Sequence, residues 1–180
     1  MNPEITHTLS TPPTFSDSIV ELQSVLTSCR HLTDCVAAAG DAIVSGLRNG
    51  NKLLTCGNGG SAADALHLSE ELVGRYRVDR APLPAICLNS DVTALTCIAN
   101  DYGYDEVFAR QVRALGKAGD ILVGFTTSGN SPNVLAAFLR AKALGLETIL
   151  LSGKDGGKSK GTCDHEIIIP SQTTARIQEV

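Results

Sequence analysis

Tryptophan is absent from these 180 residues, and three tyrosines and four phenylalanines are the whole aromatic complement. That scarcity argues against an aromatic-rich binding surface and for a core packed from smaller side chains. Positive charge is not in excess either: a net charge of −4 and a pI near 5.5 leave no electrostatic footprint for nucleic acid. No apolar run approaches the roughly 20 residues that span a bilayer. Met1 to Phe15 is polar and proline-bearing, without the apolar stretch of a secretory signal. The six cysteines, Cys29, Cys35, Cys56, Cys87, Cys97 and Cys163, include no Cys-x-x-Cys pair. Most sit in apolar runs and read as buried small hydrophobes of a reducing compartment. What remains is a cytoplasmic globular protein with no nucleic-acid or membrane partner, long enough for one domain with a substantial core.

Residues 1–15 read as a loose leader and 16–180 as a single domain. From Ser16 the residues Ile19, Leu22, Leu26 and Cys29 repeat at helical spacing, and a second helix follows Thr33 with Val36, Ala39, Ile43 and Leu47 on one face. These N-terminal helices could cap a sheet or pack against another subunit. Strand–helix alternation then predicts strands at 52–56, 83–88, 120–125, 147–151 and 165–169. Helices are expected at 61–76, about 92–99, 105–115, 132–144 and from about 173. Short continuous apolar strands such as Ile121-Leu-Val-Gly-Phe125 suit a parallel sheet buried on both faces. The pattern is that of an α/β protein, a three-layer αβα sandwich. Lys154-Asp-Gly-Gly-Lys-Ser-Lys-Gly161 reads as a solvated loop, and Arg75-Tyr-Arg77 with Arg80 as a solvated helix end. A second reading lets those arginines close an anionic pocket in a neighbouring subunit.

Ligands of such folds collect beyond the carboxyl ends of the strands. Lys52-Leu-Leu-Thr-Cys56 feeds into Gly57-Asn-Gly-Gly-Ser61, a turn whose glycines allow close backbone approach. A helix starting near Ser61 aims free N–H groups and its positive dipole end at an anion. Gly57-x-Gly59-x-x-Ala62 formally matches a dinucleotide fingerprint, but the acidic residue expected after the next strand is missing; Asn89 and Asp91 lie later than it should. No Gly-Lys-Ser/Thr follows the loop, which removes the Walker pattern. A second loop, Thr126-Thr-Ser-Gly-Asn-Ser131, leaves another strand end. A capped helix start explains Ser131 and Pro132. It does not explain the consecutive hydroxyls of Thr126, Thr127 and Ser128, which suit a phosphate. His67 and Glu71, four residues apart, share one helix face behind the first loop, with Glu70 on a neighbouring strip. An anion cradle beside acid–base groups points to an enzyme acting on a phosphorylated small molecule, and spacing alone does not choose between the two glutamates.

Five segments in order carry a resemblance: Cys56-Gly-Asn-Gly-Gly-Ser-Ala-Ala-Asp-Ala-Leu-His-Leu-Ser-Glu-Glu71, Ile98-Ala-Asn-Asp-Tyr-Gly-Tyr104, Thr126–Ser131, Ser152-Gly-Lys-Asp-Gly-Gly157 and Ala175-Arg-Ile-Gln-Glu179. From about residue 16 to its end the chain resembles the phosphoheptose isomerases of the sugar isomerase (SIS) domain family. The resemblance implies a five-stranded parallel sheet in the flavodoxin-like order 2-1-3-4-5. It implies interconversion of D-sedoheptulose 7-phosphate and D-glycero-D-manno-heptose 7-phosphate through an enediol, in ADP-heptose and lipopolysaccharide biosynthesis, by a zinc-dependent homotetramer. It selects Glu71 as catalytic base and metal ligand, with His67 and Gln178 as further ligands. It puts Asn58, Gly59, Gly60, Ser61, Asn100, Asp101, Thr126, Thr127, Ser128, Ser131 and Gln178 against the substrate. Family members continue into a helix bearing a further histidine, which His165, in a strand, does not replace; His31 and His7 carry no role. The expectation is therefore a truncated form of an active isomerase, with weak or absent zinc binding and catalysis as it stands. Rival expectations are non-catalytic relatives that bind a replication initiator or sense a sugar phosphate.

Overall fold

Alternation along the strands builds both cores at once, because successive side chains point to opposite faces. The computed structural model describes residues 12–180. Strands β1 (Leu53–Gly57), β2 (Ala85–Cys87), β3 (Ile121–Thr126), β4 (Glu147–Gly153) and β5 (His165–Ile169) form one all-parallel sheet in the order β2-β1-β3-β4-β5. Leu54, Cys56, Leu122 and Leu150 face one layer, packed with Val107, Phe108, Val134 and Phe138. Leu53, Ile121, Val123 and Ile149 face the other, packed with Val25, Leu32, Ala39 and Ile177. The first layer holds α5 (Ala109–Leu115) and α6 (Pro132–Ala143), with α4 (Val92–Tyr102) at its rim. The second holds α1 (Phe15–Ser28), α2 (Thr33–Arg48), α3 (Gly60–Val73) and α7 (Thr174–Glu179). The expected three-layer α/β architecture and strand order are both present.

Boundaries moved where backbone chemistry intervened. The strand expected over 83–88 shrinks to three residues on the sheet edge, since Pro82 and Pro84 lack the N–H a ladder needs. The helix expected to reach residue 76 stops at Val73, where Gly74 leaves helical geometry. The helix expected at 105–115 starts four residues late, after a 3₁₀ turn at Tyr104–Glu106 that follows Gly103 at φ +89°. Most of the predicted leader lies outside the described residues, His7 included, and Thr14 opens α1 through a capping box with Asp17. The face predicted for α1 is only partly inward: Leu22 and Cys29 are half-buried, Ile19 and Leu26 remain exposed, and Val25 points into the core. His31 lies in the 3₁₀ turn Cys29–Leu32, and His165, on the edge strand, meets Glu147 at 2.8 Å. All six cysteines are free; Cys56 and Cys87 are buried, but Cys35 and Cys97 are exposed, against expectation. Among the described residues no helix is long and apolar enough to cross a membrane.

Candidate functional site

The strand order reverses at β1, which pairs with β2 on one side and β3 on the other. With Gly57 opposite Phe125 in the register, the loops after β1 and β3 leave adjacent strand ends and open on one crevice. Gly57 is held from both sides by one amide. Asn89 Nδ2 donates to Gly57 O at 2.9 Å, and the Gly57 N–H donates to Asn89 Oδ1 at 3.2 Å. Near where a dinucleotide site would carry an acid for the ribose, this chain has a clamp on its own loop. A Cβ on Gly57 would lie 2.4 Å from Ser61 O, so the turn into α3 requires glycine. Gly59, at φ +58°, is the N-cap of α3, and Gly60 and Ser61 follow as the first helical residues, whose N–H groups have no carbonyl a turn earlier. Ser61 is buried.

The second loop is built against a brace that reads in sequence as solvent-exposed. Ser159 is fully buried and donates through Oγ to Gly129 O at 2.8 Å, while its N–H reaches the same carbonyl at 3.0 Å. Asn130 Nδ2 donates to Ser128 O at 2.8 Å, and Asn130 Oδ1 accepts the Lys158 N–H at 3.1 Å. Ser152 Oγ donates to Thr126 O at 2.8 Å. The segment 154–161 is therefore a buttress rather than a free loop. Ser131 stands at the N-cap of α6 but does not cap it: its hydroxyl lies 3.0 Å from Thr126 Oγ1 across the loop mouth. The expected serine cap is absent, and that hydroxyl ties together the loop that frames the crevice instead.

α3 is fixed to β1 by Thr55 Oγ1, which donates to Ala65 O at 2.8 Å and lies 2.8 Å from Ser69 Oγ. This orients one helix face into a cavity of about 1110 Å³. Ser61, Asp64, His67 and Glu71 from α3, Thr126 and Thr127 from the second loop, and Gln178 from α7 all line it. His67 Nε2 lies 3.2 Å from Glu71 Oε1. Gln178 packs so closely on the first loop that a Cβ on Gly60 would meet its Nε2 at 2.2 Å. The ligand atoms of His67, Glu70 and Glu71 lie within 4.8 Å of one another. Glu71 faces the large cavity, whereas Glu70 lines a shallow depression beside β2. Asp64 was not singled out by its sequence, yet it shares the 3.6-residue face of His67 and Glu71. Burial lifts its carboxyl above the ordinary range, partly offset by His67.

Asn58 turns away into a polar cluster. Its amide exchanges hydrogen bonds with Asn133 at 2.8 and 2.9 Å, and its Oδ1 accepts from Tyr104 Oη at 3.0 Å. Asn133, almost wholly buried, carries no motif signal that would have found it. Asn100 and Asp101 sit on the exposed last turn of α4, joined to each other at 2.8 Å, and do not line the cavity. Gly59, Gly60, Ser128 and Ser131 also lie off its lining, on the loops that frame it.

Residues 15–153 match the SIS domain model. The chain is 52% identical over 163 residues to a phosphoheptose isomerase of Helicobacter pylori, covering 91% of this chain and 80% of that one. In structure it is similar to a phosphoheptose isomerase from Neisseria gonorrhoeae, with a TM-score of 0.85 and 43% identity over 91% of this chain and 88% of that one. A phosphoheptose isomerase from Francisella tularensis gives 0.86 and 39%, over 93% and 92%.

Proposed function

The chain belongs to the phosphoheptose isomerases of the SIS domain family, and from that premise we propose that it interconverts D-sedoheptulose 7-phosphate and D-glycero-D-manno-heptose 7-phosphate. The observation that carries this reading is the meeting of Glu71 and His67 with Ser61, Thr126, Thr127 and Gln178 around one cavity. Ketose and aldose differ by one proton moved from C1 to C2 and a second moved from the C1 oxygen to the C2 oxygen, through an enediol. A carboxylate in reach of both carbons can take it from C1 and return it to C2. Glu71 is the group proposed for that task. The phosphate is held by Ser61 at the α3 N-terminus and by the hydroxyls of Thr126, Thr127, Ser128 and Ser131. Gly60 and Gln178, packed on each other, flank the sugar, and the case for Asn58, Gly59, Asn100 and Asp101 rests on the resemblance alone.

One imidazole nitrogen and carboxylate oxygens within 4.8 Å are a donor set that suits zinc. Of that set His67 and Glu71 face the cavity and would hold the ion, joined by Gln178 from the same lining rather than by Glu70; the ion would polarise the substrate's carbonyl oxygen. Exposed apolar side chains on α1 and α2, among them Val20, Leu26 and Val44, support assembly as a homotetramer. The setting proposed is heptose biosynthesis for lipopolysaccharide in the cytoplasm.

Proton exchange from deuterated water into substrate tests the core of this reading. Glu71→Gln in the full-length protein should lower exchange by about 100-fold to 10,000-fold, while calorimetry still registers sugar-phosphate binding. Exchange at the wild-type rate in that variant would remove Glu71 as the base. Failure of the wild-type protein to bind sedoheptulose 7-phosphate would remove the isomerase reading altogether.

A further inference from the structure

Glu71 lies in the closing turns of α3, where backbone carbonyls have no partner inside the helix. Three successive carbonyls there are met by the chain returning toward β2. Glu70 O accepts the Gly74 N–H at 2.7 Å, and Leu72 O accepts the Leu83 N–H at 3.0 Å. Arg80 supplies the rest: Nη2 donates to Glu71 O at 2.6 Å, and Nη1 donates to Leu72 O at 2.9 Å. Nη1 also donates to Ala81 O at 2.9 Å, which ties the fork to its own stretch of backbone. α3 carries no basic residue in its last turn, so Arg80 brings a cation to the negative end of that helix from seven residues beyond it. Among the described residues no carboxylate stands within ion-pair distance of Arg80. Its hydrogen bonds go to carbonyls, although it lines the same cavity as Glu71.

We infer that Arg80 is a positioning residue for the isomerisation: its two-pronged grip on the carbonyls of Glu71 and Leu72 fixes the backbone from which the Glu71 carboxylate is aimed. The inference rests on Glu71 being the base. A guanidinium spans two neighbouring carbonyls in one plane, whereas a lysine ammonium is a point charge on a flexible stem. Sub-ångström placement matters at a proton-transfer group, since a misplacement of about 1 Å can cost about 100-fold in rate. The phosphate is gripped at the opposite end of α3, so loss of the fork should appear in kcat and leave KM nearly unchanged.

The experiment compares Arg80→Lys, Arg80→Ala and Glu71→Gln in the full-length protein, with kcat and KM for sedoheptulose 7-phosphate and the calorimetric number of binding sites. Arg80→Lys keeps the charge and the aliphatic stem and is the variant to judge by if Arg80→Ala does not fold. Expected is a fall in kcat of about tenfold to 100-fold in Arg80→Lys, with KM within about twofold and full site occupancy. Arg80→Ala, where folded, should fall at least as far and recover part of its kcat when guanidinium is added at non-denaturing concentration. Wild-type kcat in Arg80→Lys overturns the inference, and so does a loss of rate that only tracks a loss of binding sites. Wild-type activity in Glu71→Gln instead removes the base assignment and the inference with it. An inactive Glu71→Gln beside a fully active Arg80→Lys removes the inference alone.

Discussion

Gly129 concentrates the demands on the second loop into one position. Its φ of +65° is a conformation L side chains rarely adopt, and a Cβ there would lie 1.9 Å from Gly156 O. Nothing can relieve that contact cheaply, because both partners are backbone and the 154–161 buttress is hydrogen-bonded on each side of it. Gly129→Ala should therefore cost about 2 kcal/mol or more from backbone strain and the clash. For a chain of this size that is a fall of about 4–8 °C in melting temperature. Because the loop must part from its brace, KM for the sugar phosphate should also rise. An unchanged melting curve would show that the brace yields and that Gly129 is not a fixed point. A glycine within the hydroxyl-rich Thr126–Ser131 loop was legible. The partner that makes it a requirement was not, since Gly156 lies 27 residues away and its run reads as polar linker.

Among the elements, the sheet was legible because its strands carry short apolar runs bounded by glycine and proline, and strand–helix alternation leaves few topologies. Beyond the boundaries that local proline and glycine moved, α3 stops at Val73 with Arg80 bonded to its final turn, and no local periodicity announces a cap seven residues along the chain. Ser131 failed in the same way, its hydroxyl taken by Thr126 instead of by the helix it precedes. The strand ends remote from the site are held by another contact of this kind. Asp120, just before β3, accepts the Lys52 and Lys117 N–H groups at 3.0 and 2.8 Å and pairs with the Lys52 ammonium. Burial alone would raise the Asp120 carboxyl, but these donors outweigh it and hold it below the ordinary carboxylate range. A carboxyl lowered on folding stabilises the native state above its unfolded pKa, and that contribution is lost as pH falls through the folded value. Asp120→Ala, which leaves Lys52 unpaired, should thus cost about 3 kcal/mol at pH 7. The gap to wild type should narrow in denaturant titrations below about pH 4. A gap independent of pH would assign the loss to packing rather than to charge.

At the scale of the whole molecule, the site and the N-terminal helices lie on the same side of the sheet. α7, which carries Gln178, is tied to α1: Arg176 Nη1 donates to Ser18 O at 3.0 Å, and Thr173 Oγ1 donates to Glu21 Oε1 at 2.5 Å. α1 leaves Val20 64% and Leu26 50% exposed, and α2 leaves Val44 exposed. Under the assembly proposed above, a second copy of the chain covers these side chains. Burying them also steadies α1, and through Arg176 and Thr173 the helix that brings Gln178 to the cavity. Light scattering should accordingly give about four times the mass of the single chain, which is 18.8 kDa for these 180 residues. The double variant Val20→Asp, Leu26→Asp should give a smaller particle, because charges in a dry interface are costly to desolvate. Its KM should rise with dissociation, as Gln178 loses the support that reaches it through α1. A double variant that keeps the wild-type mass would move the subunit contact away from these helices. One that dissociates with unchanged KM would cut the link from assembly to site and leave α7 positioned by its own chain.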